Sequence, residues 1–336
     1  MSGIFTIALL QNTLRTATPI VLAGLGVLMT EHVGIMNIGM DGMMLTGAFF
    51  AVVGSFYLGS WAAGLAAALL AGVLLGLFFG VFVILFESDE FIIGVALNIF
   101  AGGLTVFLLR AMFGVKGAFS DPAIVPLPRL NWPWLEGIPI IGPLLNGNTL
   151  LVYVSWVLVL ACWLVIYRMP LGFWLRAAGE HPQSLRSAGK SPERMKYLAS
   201  LLCGVFAGLA GAHLSLGYLT MFTENMSAAR GFIAVACVIF GAGNPPRVFL
   251  AALLFGFLDA LGLRLQSAGV NSNLTAMAPY VVTVVMMVAM VVRRGIRKRG
   301  MGSFFTSFAS PASQGFRPPR AARRRSRRPA PPTGSH

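Results

Sequence analysis

Residues Arg168 to Lys196 read RMPLGFWLRAAGEHPQSLRSAGKSPERMK. The stretch separates two long apolar blocks and carries six Lys or Arg, two Glu, one His and three Pro, too polar a set to lie in hydrocarbon. It must sit in water, and six cations against two carboxylates put it on the cytoplasmic face by the positive-inside bias. The flanking blocks are then membrane spans. A chain of 336 residues with 57% apolar and 11% charged residues and a mean hydropathy of +0.78 lies well outside the range of soluble domains.

Within this stretch Gly179-Glu180-His181-Pro182 is a break, and residues 183–189 are expected to form a short helix. Pro182 suits a first helical turn and Gly189 a C-terminal stop, with small residues along one side. Such a helix is either a docking element or part of an ordinary solvated loop. The triple Gly189-Lys190-Ser191 could end a phosphate-binding G-x-x-x-x-G-K-[ST] motif. Ser184 occupies the position of the first glycine and no strand is expected before it, so no ATP site is assigned to this chain.

The net charge of +14 would suggest nucleic acid if it were evenly spread. Residues 293–336 hold twelve Lys or Arg and no acid, whereas residues 1–292 hold thirteen against eleven Asp or Glu. A nearly neutral body gives no reason to expect a nucleic-acid partner; the partner that composition demands is the lipid bilayer. The Ser/Pro/Arg-rich tail 300–336 is expected to be a disordered, solvated, basic cytoplasmic tail, although its Arg clusters could touch anionic lipid or RNA. Cys162, Cys203 and Cys237 lie in apolar runs without ligand spacing, so no metal, no disulfide and no cofactor are expected.

Going outward from the loop, the first span covers about Thr16 to Met29, with or without the preceding turns, and is ended by Glu31-His32. Residues 33–48 are apolar but contain four glycines, Asn37 and Asp41. They read as a broken or re-entrant helix, because loosened backbone and polar groups at depth need a protein or water lining. The competing reading is a glycine-rich packing face. Residues 48–57, 61–86 and 91–113 are further spans, the second with Gly72, Gly76 and Gly80 as a packing ridge and the third with Asn98, a group for interhelical bonding or for the substrate path. Residues 114–148, with six prolines and only Lys116 and Arg129 as cations, suit the outer face. Residues 150–167, 197–219, 248–265 and 275–292 are the remaining spans. Residues 224–230 are read as an outer turn, and residues 231–241 are too short to cross alone and fit a half-helix. His213, deep in its span, reads as a packing residue rather than a proton relay.

Several of these motifs together resemble the permease subunits of ABC importers of the ribose, branched-chain amino acid and nucleoside group. The resemblance rests on Gly179-Glu180-His181-Pro182 with Ala188-Gly189, Asn37-Ile38-Gly39 followed by Asp41-Gly42 and Gly47-Ala48, Ala96-Leu97-Asn98-Ile99-Phe100-Ala101, and Gly231-Phe232-Ile233-Ala234 through Phe240-Gly241 with Asn244-Pro245. His181 stands where the group usually has Asn, Ser184-Leu185 replace a smaller pair, and Asp41 stands where Glu or Gln is more usual. Thr18-Pro19-Ile20, Asn37-Ile38-Gly39 and the compact length look most like the nucleoside permeases.

The resemblance implies an all-α polytopic membrane protein with about eight to ten membrane segments, one or two of them broken or re-entrant, forming a permease domain over 1–299. It implies a multi-pass protein of the bacterial inner membrane with a cytoplasmic C-terminus. The chain would not be an enzyme. Its expected partners are an ATPase subunit, a second permease subunit and an extracytoplasmic substrate-binding protein. Gly179, Glu180, His181, Pro182, Ser184, Ala188 and Gly189 would couple to the ATPase, and Asn37, Asp41 and Asn98 would line the substrate path. The rivals are a permease for simple sugars, an ion-driven transporter with a proton route through Asp41, His213 and Asp259, and a membrane scaffold.

Overall fold

The computed structural model describes residues 7–131 and 141–267 and the single positions 281, 284, 285 and 288. Most of the expected span 275–292 and the tail lie outside the described residues. The elements described here all belong to the unit Met1–Val285.

Among the described residues, seven helices are long and apolar enough to cross a membrane. They are α1 (Ile7–His32), α2 (Met40–Leu58), α3 (Trp61–Gly80, continued by a π-helical turn to Leu85), α4 (Glu90–Phe113), α6 (Leu150–Arg168), α9 (Pro192–Ala212, continued by a π-helical segment to Leu219) and α11 (Pro245–Ser267). Between them lie α5 (Ile141–Leu145), α7 (Pro170–Glu180), α8 (Pro182–Ser187) and the short apolar α10 (Arg230–Gly241). The chain is thus an all-α polytopic membrane protein. The apolar windows of α1, α2 and α9 are buried over 72–89% of their residues and those of α3, α4, α6 and α11 over only 28–33%, so the first three form the core and the rest surround it. Exposed Leu70, Phe78, Ile99, Phe107, Leu160 and Leu250 then face lipid, where an apolar surface is the favourable one.

Small residues set how closely the core helices approach. A side chain at Gly72 or Gly204 would meet the carbonyl oxygen of the other, and one at Gly76 would meet Ser200 O. Gly208 faces Ala68 on α3 while Gly47 of α2 lies against Gly208. The ridge read at Gly72, Gly76 and Gly80 is therefore the seam between α3 and α9, with α2 in the same groove; bare backbone lets the helices touch where lipid offers no hydrophobic drive.

The end of the bundle opposite α7 and α8 is closed by two short ribbons. β1 (Ala118–Phe119) pairs with β4 (Phe222–Thr223), and β2 (Arg129–Leu130) pairs with β3 (Asn148–Thr149). Phe222 meets Phe49 edge-on at 5.2 Å between centroids, and Phe119 stacks on Phe113. The start of α1 is tied to the same end, Gln11 Nε2 donating to Asn146 O at 2.8 Å and Arg15 Nη2 to Gly147 O at 2.7 Å.

The first span includes the turns before Thr16 and runs as α1 from Ile7 to His32, with Pro19 inside it. The break read in residues 33–48 lies at residues 33–39, and from Met40 the helix runs unbroken for 19 residues. Gly34 takes φ +76° in the turn, a left-handed conformation that glycine adopts without strain.

Candidate functional site

The α7–α8 segment is the exposed polar end of the molecule. Pro170 opens α7 and Pro182 opens α8, each at a first turn where a missing N–H costs nothing, and the break between them is His181. Gly189, at φ +76°, ends α8; its N–H bonds to Arg186 O while the Lys190 N–H reaches back to Leu185 O. Ser191 then caps α9 by accepting from the Arg194 N–H. The Gly-Lys-Ser triple is thereby accounted for as one helix stop followed by one helix start.

On α8 only Leu185 is buried, and it fastens the helix to the body. Glu180, His181, Pro182, Ser184, Ala188 and Gly189 are all exposed. Six of the seven expected coupling residues are thus exposed, and one of them, Glu180, also lines the cleft beside the end of α1. The seventh, Gly179, points the other way. A side chain there would meet His32 O, the Gly34 N at 2.9 Å and the Val33 carbonyl carbon at 2.9 Å, so α7 touches the turn between α1 and α2 backbone to backbone.

That turn leads directly to Asn37, which is fully buried. Its Oδ1 accepts from the Gly39 N–H at 2.9 Å, and its Nδ2 lies 3.2 Å from Cys203 Sγ. Asn98 accepts from the Gly42 N–H at 2.7 Å and donates to Ile38 O at 3.0 Å. The first N–H groups of a helix have no partner within it, and these two amides supply partners for the start of α2 at membrane depth.

Asp41 does the same for α10. It accepts from the Gly231 N–H at 3.0 Å and from the Ser227 hydroxyl at 2.9 Å. A carboxylate at the positive end of a helix is held by the dipole as well. Asn37, Asn98 and Asp41 thus lie around one junction, where the N-terminus of α2 meets α4, α9 and α10.

The expected half-helix is present as α10, twelve residues or about 18 Å long. Its far end, Gly241, packs on Val248 near the start of α11, while the Tyr167 hydroxyl donates to Gly243 O just beyond it. The element therefore begins about halfway across the bundle, which revises the reading of residues 224–230 as wholly an outer turn. Glu224 bonds to Gly117 at the ribbon end, but the chain then descends through Asn225, Ala228 and Ala229, all at positive φ, to Arg230. Arg230 Nη2 pairs with Asp259 Oδ2 at 2.8 Å. This pair, separated by 29 residues in sequence, escaped the sequence reading.

His213 is fully buried at the start of the π-helical segment. Pro19 has no N–H, so the carbonyl of Arg15, four residues earlier, loses its helical partner. His213 Nε2 lies 3.1 Å from that oxygen and donates to it, and Nδ1, 3.4 Å from Thr149 Oγ1, is the acceptor. Both ring nitrogens are occupied in structural bonds. Pro19 was the signal that a donor had to come from elsewhere.

The family model described as the branched-chain amino acid transport system permease component matches residues 9–291. A putative glucose ABC transporter permease of Haloferax volcanii is 35% identical over 267 residues, covering 78% of this chain and 79% of that protein. The guanosine ABC transporter permease of Bacillus subtilis is 30% identical over 296 residues, covering 84% and 91%. A nucleoside ABC transporter permease of Lactococcus lactis is 30% identical over 290 residues, covering 83% and 90%. No solved structure matches the chain.

Proposed function

Since the chain belongs to the branched-chain amino acid transport permease family, a family of plasma-membrane ABC transporter subunits, we propose that it is the permease subunit of an ATP-driven nucleoside importer. It works in the bacterial inner membrane with its C-terminus in the cytoplasm. A second permease subunit completes the path, an ATPase subunit docks on α7–α8, and a substrate-binding protein delivers solute to the ribbon end. The chain itself lowers no chemical barrier.

The observation that carries this reading is the placement of Gly179. An exposed helix fastened by one leucine, whose base touches the α1–α2 turn through bare backbone, passes a push from the α8 surface directly to Asn37 and the start of α2. Asn37, Asp41 and Asn98 hold the α2–α10 junction beside the solute path. The junction changes shape when α7 moves, which exposes the path alternately to each side. The Arg230–Asp259 pair, partly exposed at this depth, belongs to the same path, because a charge pair within the bilayer is tolerated where it meets water or a polar solute.

Nucleosides are favoured by the Thr18-Pro19-Ile20 and Asn37-Ile38-Gly39 wording and by two of the relatives. A simple sugar is the second reading, favoured by the 35% identity to the glucose permease. The deciding experiment is ATPase stimulation of the reconstituted complex by its loaded binding protein, tested with guanosine, cytidine, glucose, ribose and leucine. Nucleosides are expected to stimulate; stimulation by glucose or ribose alone reassigns the solute.

A further inference from the structure

Two side-chain polar atoms without a hydrogen-bond partner among the described residues, Glu31 Oε2 and Arg176 Nε, line one cleft, in which His32 lies against Gly243. Glu31 is only partly buried, so in this open cleft such atoms take their partners from water or from a bound molecule. The cleft measures about 450 Å³, within the size range of small-molecule sites. It lies between the end of α1, the end of α6, the last turns of α7 and the turn joining α10 to α11.

The site is kept open by the chain around it. Gly243 sits at φ +68°, and a side chain there would meet Glu31 Oε2 at 3.0 Å and His32 Cε1 at 3.3 Å, closing the floor. Tyr167 is fixed by its hydroxyl on Gly243 O, and the Arg176 guanidinium rests over the Tyr167 ring at 5.4 Å. His32 Nδ1 and Glu31 Oε2 are 3.9 Å apart, beyond hydrogen-bond distance, so the two do not satisfy each other.

The chemistry of the lining narrows the ligand. Glu31 and Glu180 outnumber Arg176, which disfavours phosphates and other anions. The described residues hold no group of three or more His, Cys, Asp or Glu able to bind a metal. Glu31 requires N–H or O–H donors, whereas the Arg176 N–H requires an acceptor. A neutral heterocycle that presents ring N–H groups beside a carbonyl meets both demands at once, as a nucleobase does.

We infer that this cleft is a cytoplasmic binding site for a neutral nucleobase-bearing molecule, which restrains α7 and so slows import when the solute accumulates inside. The inference rests on the proposed reading of the chain as a nucleoside permease coupled through α7–α8. A ligand bridging Arg176 and Glu31 ties α7 to the end of α1. Because Gly179 meets residues 33 and 34 without side chains between them, α7 cannot move without altering the cleft. Such a ligand binds one arrangement better and shifts the population toward it.

The test uses the assembled complex in nanodiscs without binding protein or ATP. Equilibrium dialysis with radiolabelled guanosine is expected to show saturable binding, weakened at least tenfold by Glu31→Gln and by Arg176→Gln, with guanosine monophosphate competing poorly. Binding that neither variant changes, or its absence, overturns the site. In proteoliposomes, guanosine preloaded on the ATPase side is expected to slow uptake severalfold in the wild type and not in the two variants, whose uptake with an empty lumen stays normal. Equal inhibition of the variants overturns the regulatory role. Should the wild type import no nucleoside while cleft-dependent binding persists, the site stands and only the transport reading fails.

Discussion

Pro19 deprives the Arg15 carbonyl of its helical donor, and His213 restores one from a helix nearly two hundred residues away. Replacing His213 by Leu strands that carbonyl in the core, at a cost of about 1–3 kcal/mol. The expected result is a lower Tm of the purified complex with transport retained below it. Loss of transport at unchanged Tm would instead make His213 part of a proton route. Asn98 is bonded at both ends of its amide, so Asn98→Leu strands the Gly42 N–H and Ile38 O, at about 1–3 kcal/mol for each stranded group. Asn98→Asp keeps the acceptor for Gly42 and loses the donor to Ile38, and should fall between the wild type and the Leu variant in Tm. Both Asn37→Leu and Asn98→Leu are expected to impair translocation while the binding protein keeps its solute affinity. Normal transport by both, with only stability reduced, would leave them as packing groups.

The elements were legible in proportion to how local their causes are. The α8 helix, its stop at Gly189 and the half-helix α10 follow from proline, glycine and segment length, all of which lie in consecutive residues. The Gly72, Gly76 and Gly80 ridge and the glycines Gly204 and Gly208 were each legible as packing faces, but not that they face one another, because spacing reports a flat face and not what covers it. Asn37, Asp41 and Asn98 stood out as polar groups in apolar surroundings. The backbone groups they satisfy come partly from other segments, so pattern alone could not distinguish helix capping from solute contact. The Arg230–Asp259 pair left no local trace at all. At this scale Gly179→Ala is the informative change. Its methyl would press on backbone atoms at 2.9 Å that cannot yield without moving the turn. ATP-driven uptake is expected to fall at least severalfold with normal amounts of inserted protein, and unchanged uptake would remove the α7–turn contact from the coupling route. Gly72→Val should act differently, separating α3 from α9 and lowering the yield of assembled complex on size exclusion.

Within the unit Met1–Val285, a buried trio of helices is surrounded by lipid-facing ones. One end carries small ribbons and aromatic contacts, and the other carries the exposed α8 surface. The polar junction of α2 and α10 lies between the two ends, and the α7–turn contact connects it to α8. Among the described residues, Asp41 caps a helix and His213 is bonded at both nitrogens, so these two groups are engaged in structural bonds and not lined up as a proton route. The most direct measurement is uptake of radiolabelled nucleoside into proteoliposomes containing the full complex and its binding protein, with and without ATP, for the wild type and for Ser184→Arg combined with Ala188→Arg. Both substitutions lie on the exposed face of the α8 region and leave the Leu185 anchor intact. The predicted result is ATP-dependent uptake by the wild type and none by the double variant at equal amounts of inserted protein; normal uptake by the double variant, or uptake driven by an ion gradient without ATP, would contradict the account.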